Sequence, residues 1–303
     1  MIRITQNQVT SRYQNDLSAV YEQLARTQRQ ASTGLRIETP SDDPFGTSQV
    51  LGFDAQLSDI RQYQRNVDDT IGFLNTADAA LDAAGGAIKR IRDLVVQASN
   101  GTYDQQALNA MAAEIRQLKE AVRDSANARY GSTYVFSGTA TSTQPFPAPA
   151  NAYAGNAGIM SRRVSPSLQT QFNVPGTTVF GTTTGAAPSQ LSTLDLIDQI
   201  VTDMTTGTPA SLQQLRSLDL DALDQRHAQI LQERSNLGAV EARMEVTKQQ
   251  LADLDERITG ARSSVSDADM AKTYMQLQSQ QTMYQSALAA GTRIMQTSIL
   301  DFI

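Results

Sequence analysis

The chain has 303 residues, of which 40% are apolar and only 6% aromatic, with no Trp, no Cys and a formal charge of −6. The missing cysteines exclude disulfides and thiolate metal sites, and no Lys/Arg cluster tracks along any face, so the electrostatic footprint of nucleic-acid binding is missing. Few aromatics with abundant Ala and Gln fit long helices better than a sandwich or a doubly wound sheet. No apolar run approaches the roughly 18–20 residues of a membrane span. The stretch from Met1 to Leu17 has no apolar h-region and no small-residue cleavage site, so it does not read as a Sec signal peptide.

Near the start, Tyr13, Leu17, Val20, Leu24, Thr27 and Ala31 are spaced by alternating steps of four and three. A seam that narrow suits helix-to-helix packing rather than a free-standing helix. It predicts a helix over about residues 8–32, ended by Thr33-Gly34. Pro40-Ser41-Asp42-Asp43-Pro44 is a joint, because Pro resists helix interiors while Ser and Asp favour turns and N-caps. A longer helix starts near Pro44 and carries Phe53, Ile60, Val67, Leu74, Leu81, Ile88 and Val95, one apolar residue every seven. Val50, Leu57 and Ile71 thicken that face. Gly85-Gly86 weakens helix propensity there and marks a kink, a close crossing or a tolerated weak point. Asn100-Gly101 reads as a turn. The next helix, over about 104–129, turns Leu108, Met111, Ile115, Leu118 and Val122 inward, and the short link makes it an antiparallel neighbour of the preceding one.

Character changes at Tyr130-Gly131. From Ser132 to Ser189 the chain is rich in Thr, Ser, Gly and Pro and almost free of charge. Tyr134-Val135-Phe136, Ile159 to Val164, Gln169 to Val174 and Thr177 to Phe180 read as short strands, with a tight turn at Pro175-Gly176. So few apolar residues predict a weakly held, β-rich insert. Helix returns from about Leu191 to Thr205. After Gly207-Thr208-Pro209 one very long helix is expected, with Leu223, Ile230, Leu237, Met244, Leu251 and Ile258 again every seven, accompanied by Val240, Thr247, Leu254 and Ala261. Ser263 to Asp269 forms a polar joint. The last helix repeats the four-and-three alternation through Met270, Tyr274, Leu277, Gln281, Tyr284, Leu288, Gly291, Met295, Ser298 and Phe302.

The fold class that follows is mainly α: a long antiparallel helical bundle or coiled coil, with paired N- and C-terminal helices and a small β-rich inserted domain. Residues 1–35 plus 270–303 are expected to form a terminal coiled-coil core domain, 36–131 plus 190–269 a helical bundle body, and 132–189 an outer insert at the far tip. The two seams pair only if the chain doubles back. The assembly seam is read as Tyr13, Leu17, Val20 and Leu24 with Tyr274, Leu277, Tyr284, Leu288, Met295 and Phe302.

Signs of chemistry are sparse. His227 is the only histidine, and it falls on the side of its helix away from the Leu223/Ile230 stripe. Without Cys or a second His, a nucleophile–base triad or a zinc site has almost nothing to use. Asp42-Asp43 and Asp267/Asp269 flank helix starts or joints, where carboxylates favour the exposed N–H groups and the positive dipole end, so capping is the better reading than acid–base work or calcium binding. No GxGxxG, Walker A, HExxH or EF-hand spacing occurs. The insert contains no His, Asp or Glu, which leaves a catalytic domain there almost without support. No enzyme, cofactor or metal is expected.

Ala31-Ser32-Thr33-Gly34-Leu35-Arg36-Ile37, followed by Ser41-Asp42-Asp43-Pro44, resembles the flagellin superfamily motif at the end of its first helix. Lys89-Arg90-Ile91-Arg92-Asp93-Leu94-Val95-Val96-Gln97-Ala98-Ser99-Asn100-Gly101 resembles the body segment of flagellins and their junction homologues. Ser298-Ile299-Leu300-Asp301-Phe302-Ile303, and Tyr134-Val135-Phe136-Ser137-Gly138 with Pro145-Phe146, look more like the junction homologues than like filament flagellin. That resemblance implies an extracellular structural subunit of the bacterial flagellum, joining hook to filament as a mechanical adaptor. It implies as partners the first hook-associated junction protein, filament flagellin, a ring of its own copies and an export chaperone, and export by the flagellar type III route without a cleaved signal; neither nucleic acid nor membrane is expected. A short filament flagellin is the alternative. A secreted ligand of a host toll-like receptor is another, because Arg90, Leu94 and Glu114 match positions at which flagellins contact it; the plainer reading is that all three decorate a bundle surface. An apolar seam left unpaired before assembly is aggregation-prone, which gives a chaperone its task.

Overall fold

The computed structural model describes residues 6–99 and 103–300, with side chains placed for 8–99 and 103–292. The Asn100-Gly101 turn, Phe302 and the side chains of Met295 and Ser298 lie outside the described residues. The helices are α1 (Gln6–Thr33), α2 (Pro44–Ser99), α3 (Gln105–Ala126), α4 (Gly176–Phe180), α5 (Thr193–Thr206), α6 (Pro209–Gln214), α7 (Leu220–Ser266) and α8 (Met270–Leu300). The strands are β1 (Arg129–Tyr130), β2 (Thr133–Tyr134), β3 (Ser161–Arg163) and β4 (Gln169–Gln171). The described chain divides into two compact units, residues 1–59 with 254–303 and residues 60–253; the division falls within α2 and α7.

In the second unit the seven-residue stripes form the core. Ile60, Val67, Leu74, Leu81, Ile88 and Val95 of α2 are buried, as are Leu223, Ile230, Leu237, Met244 and Leu251 of α7. A Cβ at Gly85 would make an ordinary contact 3.7 Å from Ile230 Cγ2, and one at Gly86 would meet nothing. The helix runs unbroken through both glycines, so they are a tolerated weak point and not a kink. Asp68–Lys248, Asp82–Arg234 and Arg92–Asp224 bridge α2 and α7 at 2.8, 2.5 and 2.5 Å, with a second Arg234 bond to Asp78 at 2.8 Å. Asp104 caps α3, accepting from Ala107 N at 2.8 Å, and Leu108, Ile115 and Val122 are buried.

The insert departs from the sequence expectation in two ways. Its strands are shorter: β1 pairs antiparallel with β2, and β3 with β4 in the register Ser161 to Gln171. Residues 177–180 are helical, with Pro175 as the N-cap of α4, because Pro pre-sets the backbone for a helix entry as readily as for a turn. The insert is also not weakly held. Phe136, Phe146 and Phe180 are completely buried and stack edge to face around Phe180, with centroids 5.6 Å apart in both pairs. Asn127 clamps Phe146 through both amide groups at 2.8 and 2.9 Å. Phe172 meets Phe73 of α2 edge-on at 5.1 Å, and buried Arg123 of α3 donates to Ala150 O at 3.1 Å and Asn151 Oδ1 at 2.9 Å. A few large rings deliver the burial that many small apolar residues would.

The single helix expected after Pro209 runs on with helical backbone from α6 into α7, with one local change in its hydrogen-bond ladder. Between α6 and α7, Leu215–Asp219 forms a π-turn. The insert's aromatic cluster sets a stability prediction. Phe146→Ala should lower the free energy of unfolding by about 3–5 kcal/mol, whereas Phe45→Ala, at a side chain 74% exposed, should change it by no more than about 0.5 kcal/mol. Urea titration followed by circular dichroism compares the two.

Candidate assembly surface

The joints of the first unit are tied to one another. Gly34 ends α1 with φ +73°, a conformation that suits glycine. Leu35 bridges Asp267 antiparallel; Arg36 N donates to Ser266 O at 2.7 Å and Ala268 N to Gly34 O at 2.8 Å. The Arg36 guanidinium donates to Val265 O at 2.6 Å and to Asp43 Oδ2 at 3.3 Å. Asp43 also accepts from Gly46 N at 2.9 Å and Asp269 from Lys272 N at 3.1 Å, so both act at helix starts. Asp42 accepts from Thr39 N and Glu38 N. The backbone N–H groups of Thr39 and Gly46 hold Asp42 and Asp43 below the usual carboxylate range, and the Ser263 and Ser266 hydroxyls do the same for Asp267. These lowered carboxyls support the joints above about pH 4, and the support is lost as the pH falls further.

From that joint α1 and α8 run back antiparallel as a pair. On α1 the buried or half-buried positions include Tyr13, Leu17, Val20, Leu24, Thr27 and Ala31, the stripe its sequence marks, together with Thr10, Ala25 and Gln30. On α8 they are Met270, Thr273, Leu277, Gln280, Tyr284, Ala287 and Gly291. This shares every second position with the sequence seam but replaces Tyr274, Gln281 and Leu288 by the residue before each. At one position the reason is steric: Tyr13 reaches across so that its hydroxyl donates to Ala287 O at 2.6 Å, and a Cβ on Gly291 would fall 2.1 Å from that hydroxyl. Between the shared positions Met270, Leu277, Tyr284 and Gly291, the residues turned to α1 are Thr273, Gln280 and Ala287, while Tyr274, Gln281 and Leu288 are exposed. Tyr21 and Tyr284 lie against one another with centroids 6.0 Å apart. A polar groove of about 600 Å³ runs beside the pair, lined by Gln23, Arg26, Thr27, Gln276, Gln280 and Met283 among others.

α8 leaves Tyr274, Met275, Met283 and Leu288 exposed at 57, 69, 55 and 42%, spread around the sides of the helix not covered by α1, and α1 adds Tyr21 at 58%. No charged residue occurs from Thr273 to Thr292. Exposed Tyr, Met and Leu on a helical stretch free of charge has the composition of a protein–protein interface core. Among the described residues no group of three His, Asp or Glu side chains is placed to hold a metal, and no helix is long and apolar enough to cross a membrane. His227 is half-buried on α7. Arg90, Leu94 and Glu114 do not make one exposed patch: Arg90 and Glu114 pair at 2.7 Å, and Leu94 is only 3% exposed.

The sequence matches the bacterial flagellin N-terminal helical region over residues 4–141 and the C-terminal helical region over 220–303. The chain belongs to the flagellin family. It is 25% identical to flagellar hook-associated protein 3 of Escherichia coli over 287 residues, covering 90% of both chains. It is also 25% identical to the flagellar filament core protein flaB2 of Brachyspira hyodysenteriae over 287 residues, covering 91% of this chain and 93% of that one. The structure of a putative flagellar hook-associated protein from Vibrio parahaemolyticus shares the fold, with a TM-score of 0.68 at 21% identity over 75% of this chain and all of that one.

The geometry separates two kinds of position on α8. Gly291→Val should force Tyr13 off Ala287 and lower the helicity contributed by α1 and α8 in the free chain. Leu288→Asp, on the exposed face, should change the stability of the free chain by no more than about 0.5 kcal/mol. Amide exchange across both helices reads the difference: faster exchange in the Leu288→Asp chain, or none in the Gly291→Val chain, contradicts this placement.

Proposed function

We propose that this chain is a structural, non-catalytic subunit of the bacterial flagellum that joins the hook to the filament. The observation that carries this reading is the α1–α8 pair. It sets Thr273, Ala287 and Gly291 inward beside Leu277 and Tyr284, and leaves Tyr274, Met275, Met283 and Leu288 exposed on a stretch of α8 without charge. Membership of the flagellin family, and likeness along most of its length to a hook-associated protein, support the location. In this reading residues 1–35 with 270–303 form the inner coiled coil, and Tyr274 and Leu288 meet neighbouring subunits. Tyr13, Leu17, Val20, Leu24, Leu277 and Tyr284 hold the pair together; Met295 and Phe302, which the sequence spacing adds to the seam, have their side chains outside the described residues. The neighbours are copies of this chain, the first hook-associated junction protein and filament flagellin. Export follows the flagellar type III route to the outside of the cell, with a chaperone covering the C-terminal helix beforehand.

A short filament flagellin is the second reading, favoured by the equal identity to a filament core protein. Copy number separates the two, since a filament needs thousands of subunits and a junction about one ring. The assembly face is tested by Leu288→Asp. An unpaired carboxylate buried between subunits costs several kcal/mol, or about 1–3 kcal/mol if it takes up a proton and stays unbonded. Cells carrying the variant should synthesise it normally, make hooks without filaments and lose flagellin to the medium. Full-length filaments on hooks containing the variant would remove the α8 face from the assembly mechanism.

A further inference from the structure

The corner where α5, α6 and α7 meet contains a pair of acids that neither the assembly face nor the helix stripes use. Asp219, the last residue of the π-turn, is completely buried, and Asp203 of α5 is 7% exposed. Neither carboxylate oxygen of Asp219 has a hydrogen-bond partner. Asp203 accepts one bond, from Gln199 Nε2 at 2.9 Å. A buried carboxylate without a donor is among the most costly arrangements in a protein interior, and two facing carboxylates are satisfied only when one of them is protonated and donates to the other.

No cation is at hand to relieve the charge. Lys119 of α3 is bonded to Asp198 of α5, and Arg92 of α2 to Asp224 of α7. Arg226 of α7 donates to the carbonyls of Ser189 and Leu191. Asp195 of α5 is held by Ser192, Thr183 and Asn151. Arg216, in the π-turn itself, and Asp221 of α7 are exposed. The 3-10 turn Pro188–Gln190, which packs against the π-turn, carries no titratable group, and α6 offers only Gln214. The charged group acting on Asp219 is Asp203; burial first, then that neighbour, push the Asp219 carboxyl up to about 7, against the nearby Gln214 amide, which is too far for a good hydrogen bond but favours the charged form.

The backbone is shaped for a change at the same place. A π-turn inserts one extra residue into the helical ladder and is less favourable than the α-helix on either side of it. It persists here with its last side chain buried against α5.

We propose that Asp203 and Asp219 share a single proton across the α5–α7 junction, and that loss of this proton releases the π-turn, making this corner of the second unit a pH-responsive joint. The folded state then binds a proton that the unfolded state gives up above its ordinary carboxylate range. The stabilisation is complete below about pH 4 and is lost as the pH rises to about 7. The direction is opposite to that of Asp42, Asp43 and Asp267.

The test uses the full chain. Urea unfolding is measured from about pH 5 to pH 8 for the wild type, Asp219→Asn and Asp203→Asn. Taking the ratio to each variant cancels His227 and the surface carboxylates. The wild-type unfolding constant should rise relative to Asp219→Asn by up to about tenfold per pH unit between pH 5 and pH 7 and level off above, whereas Asp203→Asn, which leaves Asp219 buried, should keep a smaller part of that rise. Parallel pH profiles overturn the proposal. Should the variants fail to fold, carbon-13 carboxyl shifts of the wild type decide it: a titration of Asp219 or Asp203 near neutral pH supports the shared proton, and midpoints of both near 4 overturn it.

Discussion

Two helices that repeat an apolar residue every seven positions can slide past each other by seven with no loss of apolar burial. That degeneracy is the central constraint on the second unit, because α2 and α7 both carry such stripes. The ion pairs remove it. In Asp68–Lys248, Asp82–Arg234 and Arg92–Asp224 the residue numbers add to 316 each time, the mark of one antiparallel register without slip. A slide of seven would set Lys248 opposite Arg61 or Asn75, and Arg234 opposite Asn75 or Lys89. Surface pairs of this exposure contribute little stability singly. Their effect here is to penalise the alternatives, which is how charge sets specificity between otherwise interchangeable apolar surfaces.

The first unit settles register by size. Leu277 and Tyr284 belong to the α8 stripe in either reading of the sequence. The intervening positions do not follow hydrophobicity: Thr273 is 5% exposed while neighbouring Tyr274 is 57% exposed. A reading that ranks residues by apolar character chooses Tyr274 and Leu288, and only the partner's shape corrects it. The α1 stripe was legible because its bulky members, Tyr13, Leu17 and Leu24, are the knobs. The α8 stripe was half legible because it supplies the holes.

The same distinction runs through the rest of the chain. Long stripes such as Val67 to Val95 are visible because many residues repeat one message. The joint was visible because Pro40, Pro44 and the Asp residues each have a local reason to break helix. The insert was hidden because its core rests on three phenylalanines far apart in sequence, Phe136, Phe146 and Phe180, gathered by Asn127, Arg123 and Asn151 through bonds no local pattern announces. The π-turn was hidden for the opposite reason: the sequence around Leu215 reads as ordinary helix, and what distinguishes it is the burial of Asp219.

A pair of helices that sets Thr27, Thr273, Gln280, Ala287 and Gly291 among Leu17, Leu24, Leu277 and Tyr284 gains less from apolar burial than a wholly apolar seam would, since every second position of the α8 stripe is small or polar. Gln280 even buries an amide oxygen without a partner. Such a pair is defined in geometry by Tyr13 and Gly291 more than it is stabilised. The apolar area that would have strengthened it, on Tyr274, Met275, Met283 and Leu288, lies outside. Were those residues turned inward, α1 and α8 would make a stronger hairpin with a polar exterior and nothing to offer a neighbour. With the small residues inward, the pair is preorganised while Tyr21, Tyr274, Met275, Met283 and Leu288 stay available, so that ordering a second chain against it meets part of its entropic cost in advance. The exchange of Thr273 for Tyr274 and of Ala287 for Leu288 at the seam is thus the step that turns an intramolecular coiled coil into an intermolecular surface.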